Sequence, residues 1–516
     1  MIANVTTGSV TGIDGYKISV EVDISSTLPG MAIVGLPDAA VSEARERIRS
    51  AIKNSGYVFP SKKIVINLAP ADVKKEGSGF DLPMAVGVLI ANGDIDLDSV
   101  TDTAFLGELS LDGSLRRISG VLPVVLALHK QGIKRIIIPT ENAAEAALID
   151  GLEVYPAERL RDVVDFLDAK IIPEIKIKKY SFDVKKYLAK ANQSQAMFDF
   201  KDVKGQEKAK RAMEIAAAGG HNVLMAGTPG SGKTLISKCF SGILPPLEFE
   251  EAIELTKIYS VSGLLDCNQA LITERPFRSP HHSASSVGII GGGSNPKPGE
   301  ITLAHRGVLF LDEVVEFPRP VLEVLRQPLE DGVVTISRAQ ISVKYPADFI
   351  LLAAMNPCPC GFYGDTLKQC TCSEIQAKKY WSRLSGPLLD RIDIQIEVPR
   401  LKQEELLGHA PQGESSFEIR QRVVKARMIQ VKRYFGDNIV SNAQMTPALT
   451  QKYCKLAADS ESLLKMAITK FNLSARAYDR ILKVSRTIAD LASSENIEAN
   501  HIAEAIQYRN LDRVFA

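Results

Sequence analysis

The chain has almost no net charge. Its 62 lysines and arginines stand against 61 aspartates and glutamates, leaving +1 at pH 7 and a pI near 7.6. Global basicity often advertises a nucleic-acid binder, and here it is absent, so any polyanion site has to be local. Long hydrophobic runs are missing too. The longest, Leu82 to Ala91, falls far short of the ~20 residues needed to span a bilayer. The opening MIANVTTGSVTG lacks the basic-then-apolar layout of a secretory leader. A cytoplasmic protein with no membrane partner is therefore expected. Cysteine is scarce, seven in 516 residues, which excludes a disulfide-built fold. Four of the seven are clustered, which in the cytosol points to metal. Internal repeats and long low-complexity tracts are also absent. What is present is an ordinary globular balance, 45% hydrophobic and 24% charged, able to build sizeable cores. The length suggests roughly three to four domains at about 150 residues each.

Three regions separate along the chain. Residues 1–172 alternate short β-type runs (KISVEVDI, KIVINLA, RIIIP) with helical stretches (DAAVSEARERIRSAIKNSG, GVLPVVLALHKQG), the pattern of a compact α+β domain. Residues 173–198 read as a linker. EIKIKKYSFDVKKYLAK carries six lysines against two acids, and a solvated connector accounts for that composition. From 199 to 400 the strands NVLMAG, GVLFLDE, FILLAAMNP and RIDIQIEVP alternate with helices. Strands this apolar fit a parallel sheet covered on both faces, an α/β core. Residues 401–516 carry almost no strand signal and read as a helical lid.

GTPGSGKT at 227–234 fits G-x-x-x-x-G-K-[ST], between an apolar strand and a helix, the context that motif requires. Gly227, Gly230 and Gly232 let backbone N–H groups turn inward around phosphate oxygens. Thr228, Pro229 and Ser231 complete the loop, and the helix start adds its positive dipole end. Lys233 can reach the β- and γ-phosphates of ATP, and Thr234 can ligate magnesium. The strand VLFLDE ends in two acids. Asp312 is placed to hold the magnesium shell and Glu313 to orient and polarise the attacking water. A third strand ends in Asn356, a candidate contact for the γ-phosphate or the water. LLDRID presents Arg391, a cation of the kind that contributes ~10³–10⁵ in phosphoryl-transfer rate. Spacing leaves open whether Arg391 serves its own subunit, a neighbour, or only an ion pair with Asp390.

Cys358, Cys360, Cys370 and Cys372 form C-P-C-x₉-C-x-C directly after Asn356. Two close thiol pairs suit a structural tetrahedral zinc. The C-x-C spacing is tighter than the usual C-x₂₋₄-C, and unliganded thiols remain the alternative. His281 and His282 are adjacent, so their side chains are expected to diverge; a loop or interface role is expected before a metal role. SVGIIGGGSNPKPGE, 286–300, is a glycine-rich insertion. DGVVTISRAQISVKYP, 331–346, reads as a hairpin with Arg338 near its tip and Lys344 on the return strand. The basic stretch IRQRVVKARMIQVKR in the lid is explained equally well as a solvated helix face.

These motifs resemble AAA+ ATPases. FRSPHHSASSVGIIGGGSNPKPGEITLAHRGVLFLDE resembles the magnesium-chelatase branch in particular. In that branch the LLDR arginine acts on the neighbouring subunit, which implies an interface role for Arg391 and a homo-hexamer. LSARAYDRIL resembles the lids that carry a second sensor arginine, which implies that role for Arg476. DFKDVKGQ, 199–206, resembles the segment that wraps adenine. In related helicases an insertion and a hairpin placed like 286–300 and 331–346 project into the ring pore. Toward the N-terminus, KEGSGFDLPMAVGVL, GELSLDGSLRR and GIKRIIIPTEN resemble the Lon protease domain, which has a ribosomal S5 domain 2-like fold. The Lon serine position falls on Gly79, with Ser78 one residue off, and the lysine position on about Leu122. A Lon-like domain without the Ser–Lys dyad is therefore expected. A Lon-like domain ahead of a chelatase-type motor resembles the ComM/YifB family. That resemblance implies an ATP-driven DNA translocase or branch-migration helicase in natural transformation, with DNA held in the pore. A metallochelatase motor subunit and a protein-remodelling ATPase remain as alternatives.

Overall fold

The computed structural model describes residues 2–75, 77–168, 177–191, 197–267, 269–293, 296–337, 342–365, 368–401, 413–471, 473–509 and 511. The chain divides into two compact units. One comprises Met1–Ala191 with Glu248–Thr273, the other Asn192–Leu247 with Glu274–Ala516.

The first unit is built on a seven-stranded sheet. From edge to edge its strands are Gly30–Val34, Lys63–Ala69, Asp14–Ser25, Ala3–Thr11, Thr103–Phe105, Arg135–Pro139 and Glu153–Ala157. A long antiparallel ladder, Ala3 opposite Val22 through Thr11 opposite Asp14, anchors the middle. The last three strands join in parallel. Successive side chains on a strand face opposite sides, so one sheet feeds two cores. Phe105 and Ile137 enter the core that holds the helix Asp81–Asn92. Ala104, Ile136 and Ile138 enter the one that holds Val121–Lys130. The long apolar run of the sequence becomes the helix Asp81–Asn92, buried from Asp81 through Ile90, because a helix apolar all round needs cover all round.

Residues 248–273 lie in sequence inside the nucleotide-binding region, yet they pack into this first unit. Their helix Phe249–Ser262 lies against Val121–Lys130. Ser260 donates to the buried Glu145 carboxylate, which also accepts the Leu122 N–H at 2.9 Å. Burial pushes the Glu145 carboxyl upward, against the pull of these donors.

The second unit holds a five-stranded sheet in the spatial order Phe277–Arg278, Val308–Leu311, Ile350–Met355, Val223–Ala226, Ile394–Glu397. Every pairing is parallel. Four of these strands are the apolar runs read from the sequence. Phe277–Arg278 is two residues long, too short to leave a periodic signal. Beyond the sheet the chain is helical: Ser416–Arg433, Pro447–Tyr453, Ala458–Phe471, Ala475–Leu491 and Ala499–Gln507. Ser415 and Glu418 cap the first of these reciprocally. Ile419, Val423, Ile481 and Ile488 share one core with Leu352 and Ile394 of the sheet and Met213 of the helix Glu207–Gly219. A buried polar network adds to that core. Asp393 accepts the Asn222 N–H at 3.1 Å and pairs with Arg480 at 2.9 Å. The His221 ring bonds Thr487 Oγ1 at 2.7 Å. Burial alone would raise the Asp393 carboxyl; Arg480 and His221 overcome it and hold it below the ordinary range. Together these contacts tie the lid helix Ala475–Leu491 to the root of the strand Val223–Ala226. Among the described residues no helix is long and apolar enough to cross a membrane.

Candidate functional site

The strand Val223–Ala226 lies between the two strands that come last in sequence. The chain runs from it to Phe277–Arg278 on one side and later crosses from Ile350–Met355 to Ile394–Glu397 on the other, and such a switch point opens a crevice at the carboxyl ends of the strands. The loop 227–232 fills that crevice. Its Gly227 N–H donates to Met355 O at 3.1 Å. A Cβ on Gly227 would lie 2.3 Å from the Val398 carbonyl oxygen, so only glycine fits. Gly230 and Gly232 take φ of +76° and +91°, left-handed values natural to glycine. The buried hydroxyls of Thr228 and Ser231 have no hydrogen-bond partner among the described residues, which leaves polar capacity in the loop for a ligand. Gln206, at the end of the 199–206 segment, donates to Ser231 O at 3.3 Å and to Pro399 O at 2.6 Å.

Five sequence-predicted residues converge beside the loop. The Lys233 ammonium donates to Gly227 O at 2.6 Å, to Thr228 O at 3.0 Å and to Asn356 Oδ1 at 3.5 Å. Burial lowers its pKa, while Asp312 and Glu313 pull it back up. Thr234 donates to Asp312 Oδ2 at 2.9 Å, so the two expected magnesium contacts are neighbours. Glu313 follows with φ +50° and ψ +47°, and its N–H donates to Asp312 Oδ1 at 3.0 Å. Lysine, hydroxyl, carboxylates and amide thus meet at the carboxyl ends of three neighbouring strands, an arrangement able to bind a magnesium nucleotide and present a water to it.

The two arginines lie on a different patch. Arg391 pairs with Glu330 and donates to Pro387 O at 2.7 Å. Arg476 pairs with Asp390 at 2.8 Å. The Asp390–Arg391 pair that spacing allowed is therefore not formed; each member takes another partner. Glu330 links the two: it pairs with Arg391 and acts on Arg476 through space.

The four cysteines meet. Their ligand atoms all lie within 4.8 Å of one another. Cys358 Sγ is 3.3 Å from Cys360 and 3.7 Å from Cys370, and Cys360 is 3.5 Å from Cys370. A tetrahedron with Zn–S of ~2.3 Å has edges of about 3.8 Å, so the set fits a four-coordinate thiolophilic ion. Bonds from the Phe362 and Thr371 backbone pull the Cys360 thiol down to about 5, while at Cys370 the Cys372 backbone bond is outweighed by burial and by Cys360 and Cys358, which push that thiol up to about 12. The cluster also adjoins the phosphate loop. A Cβ on Gly361 would lie 2.8 Å from Pro229, and Trp381 Nε1 donates to Pro357 O at 2.6 Å.

The histidine expectation is corrected. His281 and His282 do not diverge; their rings lie 4.1 Å apart with planes at 34°. His282 Nδ1 comes within 3.8 Å of Glu313 Oε2. Sequence reasoning missed this contact because it follows a two-residue strand with no pattern of its own.

The two elements singled out for polymer binding touch each other. The hairpin pairs Val333–Ser337 with Ser342–Pro346, and Tyr345 OH donates to Pro296 O at 2.6 Å. Lys344 is exposed, while Arg338 lies outside the described residues. The basic lid helix divides its charges: Arg422, Lys425 and Lys432 are exposed, while three others turn inward. Arg420 donates to Gly242 O at 2.8 Å, Arg427 to Ala217 O at 2.9 Å, and Arg433 pairs with Asp490. In the first unit, Leu122 is fully buried, and a Cβ on Gly79 would meet Ile118 at 3.3 Å.

A phosphate loop on a five-stranded parallel sheet, acids on a neighbouring strand end, a polar residue on the next and a helical lid define an AAA+ P-loop core. Three family descriptions match successive stretches: "Magnesium chelatase, subunit ChlI" over 199–406, "Subunit ChlI of Mg-chelatase" over 20–142 and "Magnesium chelatase, subunit ChlI C-terminal" over 413–509. The uncharacterized protein YifB of Salmonella typhimurium is 44% identical over 513 residues, 99% of this chain and 98% of that protein. The competence protein ComM of Haemophilus influenzae is 43% identical over 503 residues, 98% of this chain and 96% of that one. Lon protease 2 of Bacillus subtilis is 31% identical over 121 residues, 23% of this chain. The chain belongs to the YifB/ComM family of magnesium chelatase-like AAA+ proteins. Membership implies ATP hydrolysis with magnesium and an oligomeric assembly.

Proposed function

We propose that this chain is the subunit of a hexameric, ATP-driven cytoplasmic motor that moves along DNA and migrates branches during recombination in natural transformation. The ATPase half rests on one observation, the meeting of Lys233, Thr234, Asp312 and Asn356 around the loop 227–232. In this reading the loop amides and Lys233 hold the phosphates, and Thr234 with Asp312 hold magnesium, which neutralises developing charge when bound. Glu313 orients the attacking water and Asn356 senses the γ-phosphate. Arg391 serves the neighbouring subunit's nucleotide, and Arg476 is the second sensor arginine of the lid. The cysteine cluster takes structural zinc, and the first unit, with Gly79 and Leu122 at the dyad positions, has no Lon-type peptidase activity.

The DNA half is supported by the tie between the hairpin and the 286–300 insertion, by the exposed Lys344, and by a relative described as a competence protein. A ring would bring one copy of each hairpin per subunit to a common axis, concentrating charge that the chain as a whole lacks. The test is ATP turnover with single-stranded, duplex and branched DNA. Stimulation that falls steeply with salt is expected, because phosphate contacts release counterions. If none of the three stimulates turnover, the DNA reading fails, and the metallochelatase and protein-remodelling readings move ahead.

A further inference from the structure

Glu313 has a fixed backbone and a loosely placed carboxylate. Its N–H is held on Asp312, and its φ of +50° is uncommon for a glutamate. Yet the side chain is 51% exposed, and its one ion-pair partner among the described residues is His282, 3.8 Å away. The histidine is better braced than the glutamate. Its ring stacks on His281 at 4.1 Å and stands edge-on to Phe317 at 6.5 Å. Phe317 is buried, and His281 Nδ1 shares a hydrogen bond with Ser283 Oγ at 2.8 Å. The pair is no metal site of its own, since the only grouping of three or more metal-capable side chains among the described residues is the cysteine cluster.

We propose that His282 is a positioning residue for ATP hydrolysis, its imidazole steering the Glu313 carboxylate into the orientation that polarises the attacking water. This rests on the assignment of Glu313 to that water. A misplacement of ~1 Å in such a group can cost about 10²-fold in rate, and among the described residues no other hydrogen bond or ion pair fixes this exposed carboxylate. A contact of 3.8 Å lies just beyond hydrogen-bond length, and such contacts tighten when substrate binds. His282 exchanges no proton with the nucleotide; its part is directional.

The test uses the full chain and five variants. His282→Ala removes the ring and the nitrogen. His282→Phe keeps the stack on His281 and loses the nitrogen. His282→Asn keeps a donor where Nδ1 stands. Turnover, KM for ATP and direct binding of a fluorescent ATP analogue are measured for each, with melting temperature as a check on folding. The Ala and Phe variants are expected to lose about tenfold in kcat, with KM and analogue binding within about twofold, and Asn to recover most of the loss. His282→Phe with wild-type kcat overturns the proposal, because ring packing alone would then suffice. Parallel losses of analogue binding and kcat overturn it too, since they mark a structural role. Glu313→Gln is measured alongside. If it turns over normally, the assignment of Glu313 fails and takes this proposal with it. If it is inactive while His282→Phe is normal, only the proposal falls. In the Glu313→Gln background, His282→Phe should add no further loss, as expected for coupled residues.

Discussion

Two glycine-bearing loops lead into helices in this chain, and they treat their polar groups in opposite ways. The loop 77–80 opens the helix Asp81–Asn92; the loop 227–232 opens Lys233–Phe240. In the first, Asp81 and Ser78 find their partners inside the unit. Asp81, 1% exposed, accepts from Arg47 at 2.7 and 3.0 Å and from the Leu109 N–H at 3.2 Å. Ser78 donates to Glu108. In the second, two loop hydroxyls have no partner among the described residues, and Glu313 and Thr234 are exposed beside them. Glycines before a helix supply a conformation, not a site. A site also needs converging polar groups that the protein leaves unfinished.

Substitutions can break that contrast. The largest effect is expected at the second loop. Lys233→Ala should weaken nucleotide binding, and Glu313→Gln should keep binding while stopping turnover, a loss of about 10³-fold, because a carboxamide is a poor base. Ser78→Ala in the first loop should leave turnover intact, and the protein with ATP should not cleave casein. Turnover surviving in Glu313→Gln, or casein cleavage abolished by Ser78→Ala, would reverse the roles of the two loops.

A smaller, purely structural effect is expected at Asp81. Asp81→Ala strands the part-buried Arg47 guanidinium and should cost about 3 kcal/mol, near the lower end for a broken buried pair. Denaturant unfolding of the first unit checks the size, and ATP turnover per folded chain checks that nothing catalytic was lost. Abolished turnover in a fully folded Asp81→Ala protein would make the first loop a working site.

The smallest effect should come from the cysteine cluster, which sharpens the contrast by supporting the second loop from outside. Elemental analysis should find one zinc per chain, and Cys358→Ser with Cys370→Ser should lose it. Gly361 rests on Pro229 and Cys358 follows Asn356 by two residues. Loss of the metal should therefore weaken nucleotide binding by a factor of about three, or under 1 kcal/mol. Unchanged metal content in the double variant removes the cluster from the site.

Local patterns carried much of this protein. Four strands of the nucleotide sheet are apolar runs bounded by turn residues, and the loop 227–232 takes its turns from its own glycines at positive φ, so both were legible in advance. The helical lid and the α+β first unit follow from periodicity for the same reason. Only the tertiary structure decided which distant residues meet. His282 reaches Glu313 across 31 positions of sequence, through a strand of two residues that no periodicity reveals. Gly361 meets Pro229 because parallel strands bring their carboxyl ends side by side. Residues 248–273 leave the nucleotide unit because the helix Phe249–Ser262 finds its apolar partner in Val121–Lys130 and a polar one in Glu145. Arg391 and Arg476 take Glu330 and Asp390, pairings that depend on where the lid helix lies. Short-range hydrogen bonding and side-chain period are written in consecutive residues; the choice of packing partner is made by whole surfaces, and no single stretch of sequence contains one.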